Sequence, residues 1–524
     1  MIGRLARRLG FQQSVPVALL EGWSIPATTE LPVELAPREG AAACQVDEYG
    51  RLQVVGASWT LDFTIAAGVQ WVAAANTQRT NQHLDAPGVL VTTYTTPAGE
   101  VEQRVAAGVV DGQPAAIVEI ENKGGVAIAV GAVARPLRHD GRGYIGEVAV
   151  DSDTLSVDGQ MAARFASKPT TVAAFDGASG DLIENMPEAD QAVPAATMKC
   201  RSGGAQAAAI WPLPHTATLR LVVALREPIG TSAAVPTTHD INRGWHSHLK
   251  RGMRLEVDGM SAGDDLVVAA RSLLTLWPAN DNSPQAILAM SELGFGRDAA
   301  RLFPQLERNE DDPSVIRALS RWAQLGEQGH QLDDLERILG RLAQAAHGIA
   351  AQGGNLAGPA WLESALITLG GRLHQIDQPD VGDRIQGFTA TLRHDADTDD
   401  QLARLSKGLD DRGLWNAGQV RSAAELVTAV RSIAVDDAGG ELRVLAALPA
   451  MWRGRTIDAF ALPVANGTLS YGIRWHGPRP ALLWEANLAP EAPFQISAPG
   501  IDPAFHSTER AGETLLADPG WQVS

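Results

Sequence analysis

The spacing of apolar residues changes period twice along this chain of 524 residues, and these two changes constrain its fold more than any other feature. Up to about Val257, apolar and polar residues alternate in short runs. From about Ser261 to about Val435 apolar residues recur every three or four positions, and from about Glu441 the alternation returns. A period of two is typical of a strand with one buried face, and a period of 3.6 is typical of an amphipathic helix. The sequence therefore predicts strands, then helices, then strands.

The first segment predicts a large antiparallel β-sandwich at 14–257. Val101, Gln103 and Val105 fall on one face of an alternating run, and the turn signal Asp111-Gly112 separates this run from the next. Many short strands with no helices between them favour antiparallel sheets packed as a sandwich. Because about 240 residues is too long for an immunoglobulin-like module of about 100, we expect two large sheets.

The second segment predicts a helical domain at 261–435. Ser261 and Asp264 have the S-x-x-D spacing of a capping box, and Ser283-Pro284 marks a further helix start. Short helices with short links pack as antiparallel hairpins. Since no strict period of about 34 or 40 residues appears, a closed or partly closed ring is favoured over a regular solenoid. The third segment, 441–524, predicts a small β-domain.

Two parts of the chain resemble a known group of proteins. Thr92–Pro136 contains a hairpin, a strand that ends in E-x-E-N and a strand that ends in R-P. Leu442–Pro463 contains a strand, an LP-x-x-W turn and a second strand, and Thr468–Glu485 continues the pattern. These stretches resemble the glucoamylase-like and glycogen-debranching-like glycoside hydrolases built around an α/α toroid. The resemblance implies a multidomain α and β fold, with a supersandwich-like N-terminal β-sandwich, a toroid of helical hairpins and a small C-terminal β-domain.

The same resemblance implies an activity, the hydrolysis of a glycosidic bond in an oligo- or polysaccharide. Neither of the matching stretches contains the catalytic carboxylates of the group. The helical segment 261–435 is also short for a complete toroid. Two hypotheses therefore stay open: a glycoside hydrolase, and a non-catalytic descendant of that fold that binds a glycan or scaffolds a partner.

Candidate catalytic residues are acids in loops or first helical turns. Glycoside hydrolysis needs one protonated carboxylic acid and one carboxylate, and Asp281, Glu363 and Asp411 are placed to supply them at one mouth of a ring. Each has a tryptophan within four residues, and an indole can stack on a sugar and can raise the pKa of an adjacent acid. The tryptophans near the three acids, which are Trp277, Trp361 and Trp415, are the predicted substrate-binding residues. The alternative is that the acids are ordinary capping or first-turn residues and that Trp277 belongs to the core.

Three further patterns predict no metal and no cofactor. Gly141, Gly143 and Gly146 fit G-x-G-x-x-G, but strand-like residues follow where a dinucleotide site needs a helix. Ser261 fits G-x-S-x-G, yet we read no parallel sheet to carry such a nucleophile, which favours a helix cap. His246 and His248 have ligand-like spacing without a third ligand. Cys44 and Cys200 are expected to be buried thiols.

The charge balance bears on partners. Lys and Arg number 43 against 61 Asp and Glu, a net charge of −18, and no dense basic stripe offsets it. Such a chain repels phosphate backbones, so we expect no nucleic-acid partner. No run of 18 apolar residues and no signal-peptide pattern occurs, which favours a cytoplasmic protein without a membrane partner. The expected partner is a carbohydrate; the sequence does not determine the oligomeric state.

Overall fold

A computed structural model describes most of the first half and the end of the chain. The described residues are 14–16, 20, 23, 25, 31–38, 42–67, 70–73, 78–85, 88–186, 195–230, 235–275, 283–302, 318, 321, 322, 325, 420–437 and 441–520. They belong to two compact units, one that reaches to His246 and one that begins at Ser247.

The first unit consists almost entirely of strands. In chain order these are β1 (Val33–Leu35), β2 (Cys44–Val46), β3 (Leu52–Val54), β4 (Thr60–Ala67), β5 (Gln70–Ala73), β6 (Gln78–Asp85), β7 (Val89–Thr96), β8 (Gly99–Val110), β9 (Gln113–Asn122), β10 (Ile128–Arg135), β11 (Leu137–Arg138), β12 (Gly141–Arg142), β13 (Glu147–Asp151), β14 (Thr154–Val157), β15 (Gln160–Phe165), β16 (Thr171–Asp176), β17 (Ala195–Lys199), β18 (Ala205–Leu213) and β19 (Thr218–Ala224). Two short 3₁₀ turns, Gly177–Ser179 and Leu182–Asn185, follow β16.

These strands form two large sheets. The eight-stranded sheet has the order β1-β2-β3-β4-β10-β18-β16, with β5 paired to β4, and the nine-stranded sheet has the order β17-β13-β14-β15-β19-β9-β8-β7-β6. The pairs within both sheets are antiparallel; for example, Val105 of β8 pairs with Val118 of β9, and Phe63 of β4 pairs with Ala132 of β10. The predicted β-rich N-terminal segment is confirmed.

One apolar core lies between the two sheets. It contains Leu61 and Phe63 from the eight-stranded sheet together with Val101, Val105 and Val118 from the nine-stranded sheet. On β8, the alternation predicted from the sequence is observed, because Val101, Gln103 and Val105 are buried while the residues between them are partly exposed.

A helix, α1 (Thr238–Leu249), lies inside the segment that the sequence pattern assigned to strands. It begins with a reciprocal cap, in which Asp240 N donates to Thr237 Oγ1 (3.0 Å) and Thr237 N donates to Asp240 Oδ2 (3.1 Å). Ile241 packs over Gly108 of β8, and Trp245 packs over Gly88, the residue before β7. The helix forms because these two apolar residues, four positions apart, share one face.

The second unit combines helices and strands. Its described elements are β20 (Arg254–Val257), α2 (Ala262–Thr275), α3 (Ser283–Glu292), α4 (Gly296–Ala300), α5 (Val420–Ala434), β21 (Val435–Asp436), β22 (Leu442–Val444), β23 (Ile457–Val464), β24 (Gly467–His476), β25 (Arg479–Leu488), β26 (Ile496–Ala498), β27 (Asp502–Ser507) and β28 (Ala511–Leu515). None of these helices is long and apolar enough to span a membrane.

The strands of the second unit form a five-stranded sheet of order β20-β23-β24-β25-β28 and a four-stranded sheet of order β21-β22-β26-β27. β20 pairs with β23, with Leu255 opposite Ala459. The sequence pattern grouped residues 254–257 with the sandwich because apolar and polar residues alternate there as they do in the preceding strands. Pairing with a strand about 200 residues later leaves no mark on that period.

Candidate functional site

The residues that the sequence proposed for catalysis and sugar binding fall outside the described residues. They are Asp281, Glu363, Asp411, Trp277, Trp361 and Trp415. The described helices α3 and α5 follow Asp281 and Asp411 in the chain.

The C-terminal ends of α3 and α5 meet at four buried charged residues, Glu292, Arg321, Arg431 and Asp437, here called the ionic cluster. Arg321 donates two hydrogen bonds to Asp437, Nη1 to Oδ2 at 3.1 Å and Nη2 to Oδ1 at 3.0 Å. Arg431 Nη2 lies 3.1 Å from Asp437 Oδ2, and Arg321 Nε lies 3.6 Å from Glu292 Oε1. The cluster therefore joins the last residue of α3 to the last turn of α5.

The same cluster attaches α5 to the five-stranded sheet. Arg431 donates to the carbonyl oxygen of Val435 (2.6 Å) and to that of Pro463 on β23 (2.9 Å). Tyr471 OH on β24 donates to the carbonyl oxygen of Ala434 (2.8 Å). The bonds to Val435 and Ala434 satisfy carbonyl groups at the end of α5, which have no partner within the helix, and the bond to Pro463 joins α5 to β23.

Electrostatics identify the ionic cluster as structural. Burial by itself raises the pKa of Asp437, but Arg321 and Arg431 outweigh burial and hold the pKa of this carboxyl well below its usual range. Two guanidinium groups and two carboxylates sum to zero charge, which is the condition for burying them at tolerable cost. A carboxylate that stays ionised and is occupied by two arginines has no free proton to donate to a substrate.

The directions of the helices follow from the ionic cluster. α3 and α5 pack against each other, and since their C-terminal ends meet at the cluster, they run in the same direction. Over 10 and 15 residues respectively, they extend about 15 Å and about 22 Å at a rise of 1.5 Å per residue. Ser283 and Val420 therefore both lie at the end away from the cluster.

α2 runs in the opposite direction. Its N-terminal Gly263 lies against β20, where an added Cβ would be 2.4 Å from the carbonyl oxygen of Leu255. The residue after α3, Leu293, accepts a hydrogen bond from Met253 N (2.8 Å), just before β20. Thr275, the C-terminal residue of α2, therefore lies at the same end of the helical layer as Ser283 and Val420. We call this end of the helical layer, marked by Thr275, Ser283 and Val420, the distal end.

The sequence reasoning missed the ionic cluster, although a signal for it was present. Arg431 lies between Val430 and Ile433, which are buried on the apolar face of α5. A charged residue on such a face needs a buried partner, and Asp436-Asp437 follows immediately.

Gly143, Ser261 and His248, which belong to the glycine, serine and histidine patterns of the sequence, contact other residues of the protein. Gly143 follows the β11–β12 hairpin, where an added Cβ would be 2.0 Å from the carbonyl oxygen of Ser58. Ser261 is exposed and its hydroxyl donates to Asp265 Oδ2 (3.1 Å), whereas the sequence paired it with Asp264. His248 stacks on Phe295 at 5.0 Å. Within the described part of the chain, no group of three or more residues is arranged to hold a metal ion.

Comparison with known proteins finds structures but no sequences. No protein-family model and no curated protein matches the chain. A bacterial glucoamylase in complex with acarbose is 8% identical, with a TM-score of 0.39, and the match covers 69% of this chain and 66% of that chain. The family GH92 α-mannosidase of Bacteroides thetaiotaomicron is 8% identical, with a TM-score of 0.35, and 69% of this chain and 63% of that chain are covered.

The same mannosidase in complex with mannoimidazole matches over 86% of this chain and 88% of that chain, at 8% identity and a TM-score of 0.34. In the first two matches the chain spans slightly less than two thirds of the length of the solved structure.

Proposed function

We propose that this protein is a carbohydrate-active enzyme, a glycoside hydrolase that cleaves an oligo- or polysaccharide in the cytoplasm by means of two carboxylates at the distal end. The observation that carries the proposal is the common direction of α3 and α5. A segment that contains an acid and a tryptophan precedes each of these helices in the chain, and each segment is connected to the end at which its helix begins.

Chain connectivity limits how far those acids lie from the distal end. Asp281 is two residues before Ser283, so its Cα lies within about 7 Å of that residue. Trp415 is five residues before Val420, so its Cα lies within about 18 Å of that residue. A site that draws acids from separate hairpins to one mouth is compatible with these limits.

In the proposed mechanism, Glu363 is the general acid and Asp281 or Asp411 is the second carboxylate. Glu363 protonates the leaving glycosidic oxygen, and the second carboxylate either activates a water or attacks the anomeric carbon. Trp361 next to Glu363 supplies an apolar environment, which keeps an acid protonated near neutral pH. A separation of about 5 Å between the two carboxyl groups gives retention of configuration, and about 6.5–9.5 Å gives inversion.

The second candidate function is glycan binding or scaffolding without catalysis, which the shortness of the segment 261–435 favours. The two functions differ in one measurable respect. A hydrolase releases reducing sugar from the glycan it binds, whereas a binding protein retains the glycan unchanged.

The test is a screen of the purified protein against a panel of oligosaccharides, read both for binding and for released sugar. The proposal expects time-dependent release from at least one member of the panel. Binding without release supports the second candidate, and neither binding nor release on any member contradicts both.

A further inference from the structure

The first unit holds a buried histidine, His139, that has no role in the proposed function. His139 lies in the turn between β11 and β12, and its side chain is 6% exposed. Its backbone N donates to Gln53 Oε1 (2.8 Å), and its ring Nε2 lies 3.2 Å from the carbonyl oxygen of Gln45. Since a carbonyl oxygen only accepts, Nε2 carries a proton.

The other ring nitrogen faces a carboxylate without a bond to it. Nδ1 of His139 has no hydrogen-bond partner in the part of the chain that the structure describes, and it lies 3.8 Å from Asp47 Oδ2. That carboxylate is occupied by others: Oδ2 accepts from Arg51 Nε (2.6 Å), and Oδ1 accepts from the backbone N of Tyr49 (3.0 Å) and of Arg51 (2.9 Å). When the ring is neutral and Nε2 carries the proton, Nδ1 carries none.

The turn beside His139 closes one end of the sandwich. Three side chains from the nine-stranded sheet donate to its carbonyl oxygens: Gln82 to Asp47 (2.9 Å), Tyr94 to Tyr49 (3.0 Å) and Gln103 to Gly50 (3.0 Å). We call residues 47–50 the closing turn. Arg51 and Asp62 are the other charged groups whose fields act on the ring, while Arg138 and Asp140 of the hairpin pair with each other at the surface.

A second segment depends on the same hairpin. Arg142 Nη1 donates to the carbonyl oxygen of Val15 (2.9 Å), and Val15 N donates to that of Gly143 (2.8 Å). Val15 is fully buried. Movement of the β11–β12 hairpin would therefore also release the residues around Val15.

We propose that His139 is an acid-sensitive latch, whose protonation releases the β11–β12 hairpin from β2 and β3, the strands on either side of the closing turn, and loosens residues 14–16. A second proton on the ring would sit in a water-poor site next to Arg51, and among the described residues no acceptor lies within hydrogen-bonding distance of Nδ1. Burial lowers the pKa of His139, although Asp47 opposes this effect. A buried neutral histidine stabilises the closed form above its unfolded-state pKa, and this contribution is lost as pH falls below it.

The experiment is hydrogen–deuterium exchange of the full chain between pH 7.5 and 5.0, corrected for the intrinsic pH dependence of exchange. Below the pKa of His139 in the open form, protection of the closing turn (peptides covering 44–53) and of the hairpin (136–144) should fall by up to about tenfold for each unit of pH. The reason is that one proton is taken up when the hairpin opens. The strand β9 should show no such slope.

Two variants complete the test, and the pH slope is the readout in both. His139→Gln retains a donor for Gln45 but takes up no proton, so its slope should vanish even if its absolute protection is lower. His83→Gln removes an exposed histidine of β6 and should retain the wild-type slope. A wild-type protein with no slope in these peptides, or a slope that survives in His139→Gln, overturns the proposal.

Discussion

Arg321 and Asp437, which are 116 residues apart in the chain, face each other through two parallel hydrogen bonds of 3.1 and 3.0 Å inside the second unit. Arg431 approaches the same carboxylate from α5. This contact brings the C-terminal ends of α3 and α5 together, and so it determines that both helices begin at the distal end. The proposed site depends on this geometry, since the acid–tryptophan loops precede the two helices.

The first prediction concerns the carboxylate of the ionic cluster. Asp437→Asn should lower the free energy of unfolding by about 3–5 kcal/mol, because it leaves Arg321 and Arg431 buried without a counter-charge. Its neighbour Asp436 pairs with Arg443 near the surface, and Asp436→Asn should cost less than about 1 kcal/mol. Urea unfolding followed by tryptophan fluorescence compares the two variants; equal losses would contradict the structural role of Asp437.

The second prediction is the pH dependence of the same difference. The pKa of Asp437 is lowered in the folded protein, so its contribution is present above the unfolded-state pKa of about 3.9 and is lost as pH falls towards the folded-state pKa. The stability difference between wild type and Asp437→Asn should therefore be constant from pH 8 to about 5 and shrink below about pH 4. A difference that grows on acidification would show that the sign is wrong.

The third prediction concerns the closing turn. Gly50 has a φ of +77°, and a Cβ there would lie 2.0 Å from both Gln103 Oε1 and Tyr94 OH. Gly50→Ala should cost more than about 2 kcal/mol, since it adds backbone strain and displaces buried hydrogen bonds. Gly56 has a similar φ of +84° with open space around it. Gly56→Ala should cost about 1–2 kcal/mol, from strain alone. Similar unfolding midpoints for the two variants would contradict the tight packing at Gly50.

Much of the first unit could be predicted from the sequence, because its information is local. The alternation of Val101, Gln103 and Val105 decides which face of β8 is buried, and the sheet preserves it. The helix α1 was missed because most of its residues are polar. Its apolar face amounts mainly to Ile241 and Trp245, and its cap, Thr237 with Asp240, is a signal that the period does not register.

The ionic cluster and the pairing of β20 with β23 could not be predicted in the same way. Both join residues more than 100 positions apart, and a periodic pattern carries no information about such partners. The candidate acids were instead predicted from local features, namely a position between predicted helices or in a first turn and a neighbouring tryptophan. The candidate acids lie outside the described residues, so their placement stays a prediction; the structure gives only the common direction of α3 and α5, the helices that follow Asp281 and Asp411 in the chain.

The most direct measurement of the central claim is release of reducing sugar by wild type, Glu363→Gln and a matched control. Glu485 is exposed on β25, so Glu485→Gln makes the same chemical change at the surface of the five-stranded sheet. On any glycan that the wild type hydrolyses, Glu363→Gln should lower turnover by about 100-fold or more, the scale of lost general-acid catalysis. Its unfolding midpoint should change little, because the sequence predicts Glu363 in the first turns of a helix, where a carboxylate contributes about 0.3–1 kcal/mol. Glu485→Gln should retain full activity. Full activity in Glu363→Gln, or an equal loss in both variants, would contradict the account.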